Sequence, residues 1–263
     1  MLQAERQANI LKLIKEKGFV TIKELEDIFY VKPITIRRDL KELSRQNLIK
    51  QVHGGAADTT RLSTSFEPLY KTKLYLNFEK KQAIAKKAVE FIDSGETIIL
   101  DSGTTTLQIA IKLKDKRFKD LGIVTNDIKI ADELCAVEHL EVIVLGGVLR
   151  KYLYTLFGSF TIDFLKQIKV NKFFLAADAI SKDNGISNAN IEEVPIKKLM
   201  IQNSQNVILV ADSTKFNKNA FCRVCGWEKI SSIITDDKIS DDYIKFFKEI
   251  NINYQIVSSI NKE

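Results

Sequence analysis

Between Lys32 and Gln51 the sequence sets six basic side chains, Lys32, Arg37, Arg38, Lys41, Arg45 and Lys50, against only Asp39 and Glu42. Cations at this density neutralise phosphates, and a guanidinium that reaches a base edge donates in pairs to guanine. A second polar run, Asp101-Ser102-Gly103-Thr104-Thr105-Thr106, sits between two apolar stretches. Backbone N–H groups and hydroxyls meeting at a helix N-terminus would cradle a phosphate there. The same hydroxyls also cap helices for purely structural reasons, and the residues alone leave both readings open. The run matches neither the Walker A nor the dinucleotide glycine pattern, so a nucleotide is not the expected ligand. Thr125-Asn126-Asp127, Gly146-Gly147, Asp178 and Asp212-Ser213-Thr214-Lys215 are further polar clusters of this kind. Hydroxyls and Lys215 suit a phosphate, whereas carboxylates and amides suit sugar hydroxyls.

The first cluster requires a helical scaffold. Apolar spacing predicts a helix from about Leu2 to Glu16 that buries Ile10, Leu11, Leu13 and Ile14 and stops at Gly18. Thr21 and Glu24 form a capping box for a second helix through Leu25, Ile28 and Phe29. Pro33 opens a third, running to about Gln46, whose Ile36, Leu40 and Leu43 form one stripe with Arg38, Lys41 and Arg45 opposite. Two helices joined by a tight turn, the second exposing cations, is the arrangement that enters a DNA major groove. Leu48 to Val52 alternates like a short strand and ends in His53-Gly54-Gly55, a turn, which completes a winged helix-turn-helix. Lys50 and His53 would approach a backbone phosphate or the minor groove.

The polar stretch 57–66 reads as a connection between domains. Beyond it, apolar strand-like runs at 97–100, 122–125, 140–145, 172–177, 207–210, 232–234 and 254–257 alternate with helical segments. That rhythm predicts a doubly wound, mostly parallel α/β sheet with ligands outside the carboxyl ends of its strands.

The run Thr35-Ile36-Arg37-Arg38-Asp39-Leu40, followed by Val52-His53-Gly54-Gly55-Ala56, resembles the DNA-binding signature of bacterial DeoR-type transcriptional repressors. The resemblance continues through Asp101 to Thr106, Val124-Thr125-Asn126, Leu145-Gly146-Gly147, Gly185-Ile186-Ser187, Asn190, Glu192, Glu193, Lys197 and Asp212 to Phe216. It implies a DNA-binding domain over 1–57, a linker over 58–75 and a sensor and oligomerisation domain over 76–263, similar in fold to ribose-5-phosphate isomerase and coenzyme A transferases. Thr35, Arg37, Arg38, Lys41, Arg45, Lys50 and His53 would contact double-stranded operator DNA. A phosphorylated sugar or sugar catabolite would bind with its phosphate at Ser102 to Thr106. Asp101, Thr125, Asn126, Gly146, Gly147, Asp178, Asn190, Glu193, Lys197 and Lys215 would complete that effector site. Three departures stand out: Lys32 replaces the usual capping Ser, Ala176-Ala177-Asp178-Ala179 stands where glycines often flank the Asp, and Val194-Pro195 interrupts a segment that is usually helical.

The implied function is a regulator, in the main a repressor, of a carbohydrate catabolic operon, acting as a dimer or tetramer without cofactor. The alternative is a sugar-phosphate isomerase or transferase with an accessory basic domain, since Asp101, Asp178, Glu193, Lys197 and Lys215 could supply acid and base groups. A winged helix has no role in isomerisation, so a non-enzyme is expected.

Composition sets the outer limits. The 263 residues carry 40 basic and 34 acidic side chains, 45% apolar residues, 11 Gly, 3 Pro and 3 Cys, which excludes collagen-like, disordered and disulfide-scaffold classes. The first 60 residues hold 11 basic and 8 acidic side chains, half of the net +6 in under a quarter of the chain. Glu5 and Arg6 stand where a signal peptide would begin its apolar core, and no apolar run is long enough for a bilayer span, so a cytoplasmic protein is expected. Cys222 and Cys225 form a lone C-x-x-C with no second pair or neighbouring His, and no metal is expected.

Overall fold

A computed structural model describes residues 1–17, 19–46, 48–52, 54–58 and 70–258. The chain divides into two units, Met1–Phe78 and Glu79–Glu263.

In the first unit the order is α1 (Gln3–Lys17), β1 (Phe19–Thr21), α2 (Ile22–Phe29), α3 (Pro33–Arg45), β2 (Ile49–Val52), β3 (Gly55–Asp58) and α4 (Tyr70–Tyr75). The capping box forms as the sequence predicts: Glu24 N–H donates to Thr21 Oγ1 at 3.1 Å and Thr21 N–H to Glu24 Oε2 at 2.8 Å. Tyr30 ends α2 in the left-handed region at φ 51°, and Pro33 occupies the first turn of α3. Lys32 is the N-cap and makes no side-chain cap bond. Ile10, Leu11, Ile14, Leu25, Ile36, Leu40 and Leu43 bury together, each contributing about 1.5–3 kcal/mol by leaving water. Leu13 is only partly buried at the edge of this core.

The wing is larger than a single hairpin. Strands β1, β3 and β2 pair antiparallel in that order. Gly55 permits this, because a Cβ there would meet Val20 O at 2.2 Å. Gly54, at φ 77°, supplies the left-handed turn before it. The three residues of β1 fall between two helices and carry too little periodicity to be read as a strand. The sequence boundary also needs correction. The tract 58–75 does not serve as a linker throughout, since α4 packs on α1 and Leu76 on the first unit's core. The helix was not legible because Tyr70 to Tyr75 is too short to show a repeat. Gly18, His53 and residues 59–69 lie outside the described residues.

The second unit runs α5 (Phe78–Val89), β4 (Thr97–Leu100), α6 (Thr104–Leu113), β5 (Leu121–Thr125), α7 (Ile128–Leu134), β6 (Leu140–Val144), β7 (Val148–Arg150), β8 (Thr155–Phe157), α8 (Ser159–Leu165), β9 (Val170–Leu175), β10 (Ala179–Ser181), β11 (Gly185–Asn188), α9 (Val194–Gln202), β12 (Ser204–Val210), β13 (Cys222–Cys225), β14 (Ser232–Asp236), α10 (Asp241–Glu249) and β15 (Asn253–Val257). Seven strands make one parallel sheet in the order β15-β14-β12-β9-β4-β5-β6. The chain winds one way from β4 to β6, then crosses back to β9 and winds the other way. The switch point therefore lies between β4 and β9, where doubly wound sheets open a crevice. Two antiparallel additions, the β7-β8 hairpin and the sheet β10-β11-β13, decorate it. Pro195 does not interrupt α9; it lies in the first turn, where its missing N–H costs nothing.

Candidate functional site

The cationic surface of the first unit is built on α3. Ile36, Leu40 and Leu43 are buried, while Arg37, Arg38, Lys41 and, on β2, Lys50 are exposed and Thr35 is half-buried. Asp39 is the exception among the charged residues, buried at 1% exposure against α1. It accepts from Arg6 Nε at 2.5 Å and from Gln7 Nε2 at 3.1 Å, so it anchors α3 on α1. Arg45 is partly engaged, because its guanidinium holds Glu42 through Nε at 3.0 Å and Nη2 at 2.8 Å. Arg37, Arg38 and Lys41 are the outward cations nearest the helix start.

In the second unit the polar residues gather at the switch point. Asp101, at the end of β4, is buried and forms an ion pair with Lys197 of α9. Both its oxygens act as acceptors, Oδ1 from Ser102 N–H at 2.9 Å and Oδ2 from Ala176 N–H at 2.9 Å as well as from Lys197. Lys197 Nζ donates also to Ala176 O at 3.1 Å. Burial works against its charge, but the carboxylates of Asp101, Glu193 and Asp178 outweigh that and raise its pKa. Glu193 is paired with Arg150 Nη1 at 2.6 Å and accepts from Asn188 Nδ2 at 2.8 Å. Asp178 accepts from Ala189 N–H at 3.0 Å. Asn190 caps the short 3-10 turn Ile191–Glu193, accepting from Glu192 N–H at 2.9 Å.

The loop from Asp101 to Thr106 is more internal than the hydroxyl count suggests. Ser102 is half-buried, and its Oγ donates to Asp127 Oδ2 at 3.0 Å while lying 2.6 Å from Thr155 Oγ1. Gly103 N–H donates to Asp127 Oδ2 at 3.2 Å, and Thr106 Oγ1 turns back to Gly103 O at 2.8 Å. Thr104, Thr105 and Thr106 are all buried. A Cβ at Gly103 would come within 3.1 Å of Ala176 Cβ, so this residue type lets the turns that follow β4 and β9 lie close together. Asp127 also caps α7 through Lys129 and Ile130 N–H groups. Burial pushes its carboxyl up to about 6, and the bonds from Lys129, Ser102, Ile130 and Gly103 oppose that only in part.

Thr125 Oγ1 donates to Leu100 O at 2.8 Å, and Asn126 Nδ2 to Leu156 O at 3.1 Å. Gly146 and Gly147 are exposed at the end of β6; Gly146 O accepts from Thr161, and a Cβ on Gly147, at φ 150°, would meet Phe157 O at 2.4 Å. Lys215 is half-buried in the 3-10 turn Ser213–Lys215, two strands from β4. Asp101, Ser102 and Lys197 are thus joined by hydrogen bonds, with Glu193 and Asp178 near enough to act on the Lys197 charge.

Sequence reasoning assigned no role to Arg150 and Thr155, which come from a hairpin with no strand pattern. It also passed over Asp127, though the triplet Thr125-Asn126-Asp127 marked its position, and Lys80, which binds Asp236 and Ser213 at 2.8 Å each. Cys222 and Cys225 are free thiols on β13, whose pairing with β11 shifts register between them, and both pack against the sensor unit's core. Burial pushes the Cys225 thiol up to about 12, which leaves it protonated and unreactive. Among the described residues no group of three or more His, Cys, Asp or Glu side chains is arranged to hold a metal.

Residues 6–61 match the family model of the DeoR-like helix-turn-helix domain, and residues 76–237 that of the DeoR C terminal sensor domain. A glycerol-3-phosphate regulon repressor of Escherichia coli (strain K12) is 36% identical over 236 residues, 90% of this chain and 92% of that protein. A putative aga operon transcriptional repressor of Escherichia coli O157:H7 is 31% identical over 254 residues, 97% of this chain and 94% of that protein. Among solved structures, ribose 5-phosphate isomerase A from Methanocaldococcus jannaschii aligns with a TM-score of 0.40 and 15% identity over 53% of this chain and 55% of that one.

Proposed function

The chain belongs to the DeoR family of transcriptional regulators, and from that premise we propose that it represses a carbohydrate catabolic operon, binding operator DNA through α3 and answering to a phosphorylated sugar. One observation carries the DNA-binding half: α3 buries Ile36, Leu40 and Leu43 and turns Arg37, Arg38 and Lys41 to solvent. With Lys50 on the wing, these cations suit a major groove and its flanking phosphates. Two copies would place two such helices one helical turn apart on DNA, so the acting species is a homo-oligomer.

The chemistry at the switch point supports the effector half. Asp101, Asp127, Asp178 and Glu193 outnumber the cations Lys197 and Arg150 around them, which suits a ligand rich in hydroxyl donors. Its anionic end is best received at the positive N-terminus of α6, beside half-buried Ser102. Asp101 and Lys197 are engaged with each other inside the protein, which supports a sensor over a catalyst. Regulation then needs only that the ligand favour one DNA-binding state over another. Operator and effector meet in the cytoplasm; no helix among the described residues is long and apolar enough to cross a membrane.

Melting the full chain with a panel of phosphorylated sugars tests this reading. An active compound raises the melting temperature of the sensor unit by mass action and alters duplex affinity at the same concentration. A panel in which no compound does either removes the sensor role.

A further inference from the structure

The outward face of α3 is not uniformly cationic. Ile34, Arg37, Arg38 and Lys41 stand at i, i+3, i+4 and i+7, the spacing that gathers four side chains on one helix face. Ile34 is 55% exposed there and takes no part in the first unit's core, to which Ile36, two residues on, is fully committed. A single exposed isoleucine is ordinary on a protein surface. This one lies in the first turn of the helix, the part that reaches the base edges in helix-turn-helix docking, with exposed cations on the next turns beside it.

The chemistry of the groove distinguishes its occupants. Phosphates and the acceptor edge of guanine suit Arg37, Arg38 and Lys41, and phosphate contacts are the same for every sequence. The one apolar group that a base pair presents in the major groove is the 5-methyl of thymine. We propose that Ile34 is a specificity-determining residue that packs on the 5-methyl group of a thymine beside the base read by Arg38. The inference rests on the DNA-binding reading above and adds to it the identity of one base. Covering one methyl group is worth about threefold to fivefold in affinity. Because no phosphate is involved, Ile34 contributes to sequence preference and not to the salt dependence of binding.

The test uses the full chain. Duplexes that it retains are enriched from a randomised pool, and in the enriched duplex each thymine is replaced in turn by deoxyuridine, which lacks only the methyl group. At one position of each half-site the replacement weakens binding of the native chain about threefold to fivefold. Ile34→Ala binds the thymine and uridine duplexes equally, with an unchanged salt slope, while Ile34→Val keeps the preference. Ile34 is exposed, so the variants fold, and coincident melting curves establish this. Indifference of the native chain to uridine at every position overturns the proposal, as does an undiminished methyl preference in Ile34→Ala. If no duplex is enriched at all, the DNA-binding reading falls and takes this one with it; enrichment without methyl dependence overturns only this one.

Discussion

Asp39 and Arg6 meet at 2.5 Å beneath the recognition helix, Asp39 buried at 1% exposure and Arg6 at 9%. The Asp of the Thr35-Ile36-Arg37-Arg38-Asp39-Leu40 run is therefore no reader of DNA. It fixes the rotation of α3 on α1, so that the neighbouring Arg37 and Arg38 face outward.

Asp39→Ala strands Arg6 inside the first unit. Breaking a buried pair on one side costs about 3–5 kcal/mol, so the first unit's melting transition falls steeply while that of the sensor unit stays in place. Duplex binding is lost although no cation has been removed. Circular dichroism of the full chain resolves the two transitions. The double replacement Arg6→Met, Asp39→Leu restores much of the lost stability, because matched apolar groups need no partner.

Lys50 on the wing is predicted to contact a phosphate. Lys50→Ala weakens binding to every duplex alike and lowers the slope of log affinity against log salt by about 1. Titrations of two unrelated duplexes at several salt concentrations check it, and a loss confined to one sequence would count against the phosphate role.

What the sequence reveals depends on the range of the signal. Helices α1 to α3 and the seven parallel strands announce themselves through local periodicity and caps, such as the Thr21 and Glu24 box. The recognition face follows from the same periodicity. Partners across the fold are another matter. That Asp101 pairs with Lys197, 96 residues away, or that Ser102 spends its hydroxyl on Asp127 and Thr155, is decided by the winding of the sheet. Arg150 and Thr155 ride a hairpin of three-residue strands, too short to show alternation. The hydroxyl-rich loop accordingly looks more open in the sequence than in the fold, where Thr106 is fully buried.

Asp127 gives the sensor unit a pH signature. Its folded pKa, about 6, lies above the unfolded value of 3.8, so the folded state holds the proton more tightly. The stability it contributes is complete below pH about 4 and is lost as pH climbs through about 6, by up to about 3 kcal/mol. The melting temperature of the sensor unit in the native chain, relative to Asp127→Asn, falls across that window and is level above pH about 7. A difference that is flat from pH about 4 to about 7 contradicts the assignment.

Lys197→Met leaves Asp101, Glu193 and Asp178 without the ammonium they surround. The sensor unit loses about 3–5 kcal/mol and its response to the effector, while the first unit melts as before. Differential scanning calorimetry with and without the active sugar phosphate separates the two losses. An effector-induced shift as large as that of the native chain would remove Lys197 from the site.

The central claim is that the outward face of α3 binds DNA, and Arg38→Ala tests it most directly. Fluorescence anisotropy titration of a labelled, enriched duplex at fixed salt is the measurement, with melting curves and sugar-phosphate binding run in parallel. Losing a base-reading guanidinium costs about 1–3 kcal/mol, so affinity falls about fivefold to 150-fold while folding and effector binding are unchanged. A titration curve that overlays that of the native chain would take α3 out of the DNA interface and the proposed function with it.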